Sequence, residues 1–99
     1  SAVIEYEKIP RFSGLDGYIE QKCIPGGTIR NWDSYGQNIL LKDEKYKHVL
    51  CDPQTSGGLL IAVDQGAIAT VEKILNDHGL PAQSFGTLIR RNETLINVM

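Results

Sequence analysis

The sequence predicts an α+β domain in which one long helix packs on a mixed β-sheet, and three stretches predict it. Leu59-Leu60-Ile61-Ala62-Val63 is an unbroken, partly β-branched apolar run, the pattern of a strand buried on both faces. Gln65 to His78 carries Ile68, Val71, Ile74 and Leu75 at helical spacing, with Asp64 in front as a cap and Gly79, Leu80 and Pro81 behind as a stop signal. Phe85–Arg90 and Thr94–Val98 then read as two strands joined by a turn around Asn92. With the upstream elements the order is β, α, α, short elements, β, α, β, β.

Those upstream elements follow from local patterns. Val3–Glu7 alternates apolar and acidic positions, as a half-buried strand does, and Pro10 ends it. Ser13 and Asp16 form an S-x-x-D capping signal for a short helix to about Lys22, with Leu15, Tyr18, Ile19 and Cys23 on its apolar face. Gly17 lies inside it, and Ile24-Pro25-Gly26-Gly27 stops it and turns the chain. Thr28 is the expected N-cap of a second helix through about Tyr35, with Ile29 and Trp32 on one face and Gly36 at the exit. Asn38–Leu41 is too short to assign. Lys42–Lys45 is a solvated charge run, and Tyr46–Leu50 is a helical turn leading into a Cys51-Asp52-Pro53 turn.

Composition narrows the function classes. The 99 residues, 41% apolar and 22% charged, make one small globular domain with a modest core. A net charge of −2 with scattered basic residues gives no electrostatic footprint for nucleic acid. No apolar run approaches membrane-spanning length, and Ser1-Ala2-Val3 is not a signal peptide. Two cysteines outside any CxxC pair fit a reduced, cytoplasmic protein better than a disulfide scaffold. The sequence opens without Met, directly into a strand pattern, and reads as a single domain, 1–99, cut from something longer.

The segment His48–Val63 is the most constrained stretch. Pro53 fixes φ, and Gly57-Gly58 before an apolar run suggest positive φ at one position and a close approach at the other. Leu60 and Val63 are expected in the core. Thr55, Ser56, Gly57 and Gly58 could bind an anion through hydroxyls and N–H groups. A P-loop, however, needs a following Lys and helix, so the residues alone favour a structural turn. His48, Cys51 and Asp52 lack the fourth partner and paired spacing of a metal site. Cys51 and Cys23 read as buried, inert thiols, and His78 as a partner of its helix C-terminus. Arg30, Asn31 and Asp33 beside the Gly-Gly turn either face a nucleotide or form an exposed helix face; Trp32 reads as a core anchor.

Two blocks carry a family resemblance. LCDPQTSGGLLIAV, Leu50–Val63, resembles a signature in the C-terminal half of selenophosphate synthetase (selenide, water dikinase), of the aminoimidazole ribonucleotide synthetase-like superfamily. Pro25–Asn31 through Ser34-Tyr35-Gly36 resembles the same family at the expected place upstream. The resemblance implies the later part of the C-terminal domain of an enzyme that makes selenophosphate from selenide, ATP and water, releasing AMP and phosphate. It implies a homodimeric parent in which ATP and Mg²⁺ are bound mainly by the missing N-terminal half of the same chain. The nucleophilic Cys or selenocysteine, its Lys and the metal-binding Asp residues of the family have no match here, and Cys51, followed by Asp-Pro, is not that nucleophile. The piece is thus expected to be inert alone, with no catalytic residue. Its candidate cofactor-contacting residues are Thr55, Ser56, Gly57 and Gly58, near the cleft between the halves, together with Asn31 beside the Gly-Gly turn. Two other readings stand beside this one. One is a different ATP-using enzyme of the superfamily, such as a purine-pathway synthetase or thiamin-phosphate kinase, whose loop differs here. The other is a binding or scaffold domain without chemistry.

Overall fold

A computed structural model describes residues 1–99. Short strands, each of three residues, form one mixed sheet in the order β2-β4-β1-β3. β1 (Ala2–Ile4) lies between β4 (Ile96–Val98), to which it is parallel, and β3 (Gly86–Leu88), to which it is antiparallel. β2 (Ile39–Leu41) adds in parallel on the far side of β4, so that Ile4, Val98 and Leu41 lie in register. The α+β class and the mixed sheet are as expected. The two C-terminal strands, however, are not neighbours, because β1 inserts between them.

The first strand ends at Ile4 rather than Glu7. Tyr6–Lys8 form a 3₁₀ turn, closed by the Lys8–Glu5 ion pair at 2.7 Å, while the Tyr6 N–H donates to the Met99 carbonyl at 2.9 Å. The turn carries Tyr6 inward until it is 4% exposed. There its ring stacks on Tyr46 with centroids 3.7 Å apart and planes 11° from parallel. Val98 completes this small core, and Ile4, Ile9, Ile39, Leu41, Val49 and Ile96 pack around it. The Arg11 guanidinium lies 4.3 Å from the centre of the Tyr6 ring and is paired with Glu7 at 2.9 Å. Burial pushes the Tyr6 phenol up, with Arg11 pulling the other way.

The helices keep their predicted places but not all their predicted ends. α1 (Leu15–Glu20) is entered through Gly14 at φ +84°, and no side chain caps it, so the Ser13–Asp16 capping box does not form. It ends at Glu20; Cys23 lies beyond it and is exposed, not on a buried stripe. α2 (Gly26–Tyr35) begins two residues before the expected cap. The Pro25 carbonyl accepts the Thr28 N–H at 3.0 Å, which starts the helix there and leaves Thr28 inside the first turn, 1% exposed. Ile29 is exposed while Trp32 is half-buried, so the two do not share a buried face. α3 (Tyr46–Leu50) is as predicted. α4 (Ile68–Asp77) follows a 3₁₀ turn, Gln65–Ala67, capped by Asp64, whose Oδ1 accepts the Gly66 N–H at 3.5 Å. It stops as predicted: Gly79 takes φ +67° and the Leu80 N–H returns to the Leu75 carbonyl at 2.9 Å.

The largest departure is Leu59–Val63, which forms no strand. Leu59 is 90% exposed, Leu60 79% and Ile61 53%; Leu60 is therefore outside the core, and Val63 is only half-buried. A strand needs a neighbour for its N–H and C=O groups. The sheet's edges are β2 and β3, and neither receives this run.

Gly86 is required by the close passage of β3 over β1. A Cβ there would sit 2.8 Å from the Val3 carbonyl oxygen and 2.7 Å from Ile4 Cδ1. The backbone oxygen cannot move aside without opening the β1–β3 pairing. Gly86→Ala should therefore destabilise the fold by about 1–3 kcal/mol in chemical denaturation, and an unchanged midpoint would contradict the pairing.

Candidate functional site

α3 delivers the chain to the loop. The Cys51 N–H donates to the Lys47 carbonyl at 3.0 Å and the Asp52 N–H to the Val49 carbonyl at 3.3 Å, closing the helix before Pro53. Two ties from α2 then fix this corner. Asn31 Nδ2 donates to the Cys51 carbonyl at 2.9 Å. Gly27 lies so close to Pro53 that a Cβ would come within 2.6 Å of Pro53 Cγ. The Pro25–Gly36 and Leu50–Val63 blocks, separate in sequence, thus meet in space at the base of the loop. Gly27 is the contact that reading the sequence missed; Pro25-Gly26-Gly27 carried the signal but was read only as a turn.

Beyond Pro53 the loop leaves the body of the domain. Thr55, Ser56, Gly57 and Gly58 are all exposed, and neither hydroxyl has a hydrogen-bond partner within the chain. Neither Gly57 nor Gly58 adopts positive φ, in contrast to the expectation for this pair. A Cβ on Gly57 would make an ordinary contact with Gln54 Oε1 at 3.4 Å, and one on Gly58 would meet nothing within 4 Å. Neither the backbone conformation nor packing within the chain requires these two glycines.

Beside the base of the loop lies a cavity of about 360 Å³, walled by Phe12, Leu15 and Ile19 with Arg11, His48 and Asp52 at its polar side. His48 Nδ1 is buried without a hydrogen-bond partner. No three His, Cys, Asp or Glu side chains come together in a group that could hold a metal ion. Cys51 is half-buried, and burial pushes its thiol up, only partly offset by Lys47, so it stays protonated at neutral pH. Arg30 and Asp33 lie on the exposed face of α2. Trp32 packs its ring under Gly36, where a Cβ would come within 2.7 Å, but it is half-buried and outside the core around Tyr6, Tyr46 and Val98, so it is a local anchor and not the expected core one. His78 Nδ1 lies 2.8 Å from the Ile74 carbonyl at the end of α4, as expected of a partner for the helix terminus.

No family model matches the chain. Curated proteins do match it, and over almost all of it. It is 46% identical over 98 residues to the selenide, water dikinase of Haemophilus influenzae, covering 99% of this chain and 28% of that protein. It is 41% identical over 99 residues to the selenide, water dikinase of Pseudomonas putida, covering 100% of this chain and 29% of that protein. Against the Yersinia pestis protein of the same name the identity is 47% over 87 residues, 88% of this chain and 25% of that protein. The resemblance carried by the two sequence blocks thus extends over the whole chain. Its sequence matches one stretch of the longer selenide, water dikinases and spans less than a third of their length.

Two outcomes follow from the geometry at Cys51. Asn31→Ala should cost about 1 kcal/mol of unfolding free energy, the usual net value of such a hydrogen bond, and no loss would mean that the tie does not form. Cys51 should alkylate more slowly than exposed Cys23 at pH 8. Because its thiol is raised, the Cys51 rate should keep climbing at pH values above the ordinary thiol range. Equal rates in a peptide-mapped iodoacetamide time course would contradict its burial.

Proposed function

We propose that this chain is the later part of the C-terminal domain of a selenide, water dikinase, the aminoimidazole ribonucleotide synthetase-like enzyme that makes selenophosphate from selenide, ATP and water. The observation that carries this reading is the match over 99% of the chain to a protein of that name. Its two signature blocks also come together at one corner, through Asn31 and Gly27.

On this reading Thr55–Gly58 faces the cleft between the two halves of the parent. The free hydroxyls of Thr55 and Ser56, with the N–H groups of a loop lacking bulk at Gly57 and Gly58, suit an anionic group such as a phosphate. Asn31 acts on that loop through the Cys51 carbonyl, holding its base in place. The residues of this chain do not fit Mg²⁺–ATP by themselves. Asp52 is the single carboxylate lining the cavity beside the loop, and no three acidic, His or Cys side chains are placed to hold a metal ion. On this reading ATP and Mg²⁺ belong mainly to the missing N-terminal half, and the chain alone is inert. The parent is read as a cytoplasmic homodimer; no helix here is long and apolar enough to cross a membrane.

The test pairs the full-length parent with this chain. The parent should form AMP and phosphate from ATP only when selenide is present, and residues 1–99 alone should form none. A parent without selenide-dependent AMP formation overturns the reading. Gly58→Val in the parent should change stability by less than about 0.5 kcal/mol, as at an uncrowded surface site, yet reduce turnover at least about tenfold. Full turnover in that variant would remove the loop from the cleft.

A further inference from the structure

We infer that Leu59–Val63 is an edge completed by a β-strand of the same polypeptide lying outside residues 1–99. This inference rests on the reading that the chain is part of a longer enzyme.

Four observations carry it. The run presents consecutive large apolar side chains to water, with Leu59, Leu60 and Ile61 all more than half exposed. Its backbone lies outside every helix and strand and joins in none of the turn, loop or cap hydrogen bonds of the chain. From Pro53 to Val63 there is no charged residue, and after Pro53 no proline. Free edges are normally blunted with lysines, prolines or bulges, and this one carries no such protection. An uncharged apolar segment with unpaired N–H and C=O groups is a template for strand addition.

The next element shows the same deficit. Ile68 and Ile74 on the apolar stripe of α4 are exposed, Val71 and Leu75 only half-buried, and the helix's main neighbour is the 3₁₀ turn that leads into it. Apolar run and helix follow one another along the chain, and both lack a layer to pack on. The length of the matched relatives names the occupant. The matched relatives extend well beyond the stretch that this chain covers, so a tethered partner is at hand. A tethered strand adds without the association entropy that a second molecule loses on binding. A second copy of this chain, by contrast, would bring the same unfinished unit and leave α4 uncovered.

The experiment is amide hydrogen exchange on the unaltered full-length parent, run beside its selenide-dependent AMP assay and a light-scattering mass measurement. The amides of Leu59–Val63 should exchange within about tenfold of those of β4, as members of the same cooperative sheet. Exchange at the rate of an unstructured peptide in an active parent overturns the inference while leaving the proposed function intact. Protection in a parent that shows no dikinase activity supports the inference and defeats the functional reading instead. Protection that vanishes on dilution to the monomer overturns it in favour of a second copy. As a further arm, Ile61→Pro, which removes one ladder N–H, should raise exchange across the run at least about tenfold in the soluble parent. An unchanged pattern in that variant also overturns the pairing.

Discussion

The stacked pair Tyr6–Tyr46 is the contact on which the rest of the arrangement depends. Tyr6 follows β1 and Tyr46 opens α3, so the stack joins the sheet to the helix that carries the loop. Few residues are buried in this chain, and two of the three that form its apolar core are these rings. An aromatic pair contributes about 0.5–1.5 kcal/mol beyond its buried area, a large share where the core is so small. Arg11, stacked on Tyr6 and held by Glu7, covers this core with a charge that never leaves water fully.

From that stack the path to the loop is short. α3 runs from Tyr46 to Leu50 and hands the chain to Cys51, whose carbonyl is held by Asn31 and whose following proline rests on Gly27. The chain up to Pro53 is therefore tied by hydrogen bonds and packing within the chain, whereas Thr55 to Val63 joins in no backbone hydrogen bond. The boundary falls inside a single signature block. One half of the block is anchored, while the other presents hydroxyls, glycines and an apolar run to the surroundings. That division suits the proposal that the second half of the block faces another part of the polypeptide.

How much of this was legible in the sequence varied with how local the signal was. The stop of α4 rests on Gly79, a single residue acting on adjacent backbone, and is as expected; Asp64 caps as expected too, but it caps a 3₁₀ turn, and the α-helix begins only at Ile68. The start of α2 was misplaced because Thr28 resembles a cap, yet Pro25 already supplies the first helical carbonyl and Thr28 packs inward instead. The pattern at Leu59–Val63 records what those residues favour burying, not whether a partner is present, so a strand was predicted where this stretch alone supplies no neighbour. The Gly57-Gly58 pair misled for a related reason: adjacent glycines suggested unusual φ, and the backbone here is ordinary. The short strand Ile39–Leu41 was invisible because its identity comes from pairing with β4, which lies far along the chain. In the candidate site, the loop residues are nominated by the sequence alone. The contacts that hold its base, Gly27 to Pro53 and Asn31 to Cys51, needed the fold.

The most direct measurement is a double-mutant cycle on the stack, with Tyr6→Leu, Tyr46→Leu and the double variant unfolded in denaturant. Leucine keeps apolar volume at each position while removing the ring-on-ring contact. If the stack joins sheet to loop-bearing helix, the double variant should lose less than the sum of the singles, with a coupling of about 0.5–1.5 kcal/mol. Losses that add to within about 0.3 kcal/mol would show that the rings act independently, and would contradict the stack as the link between sheet and loop.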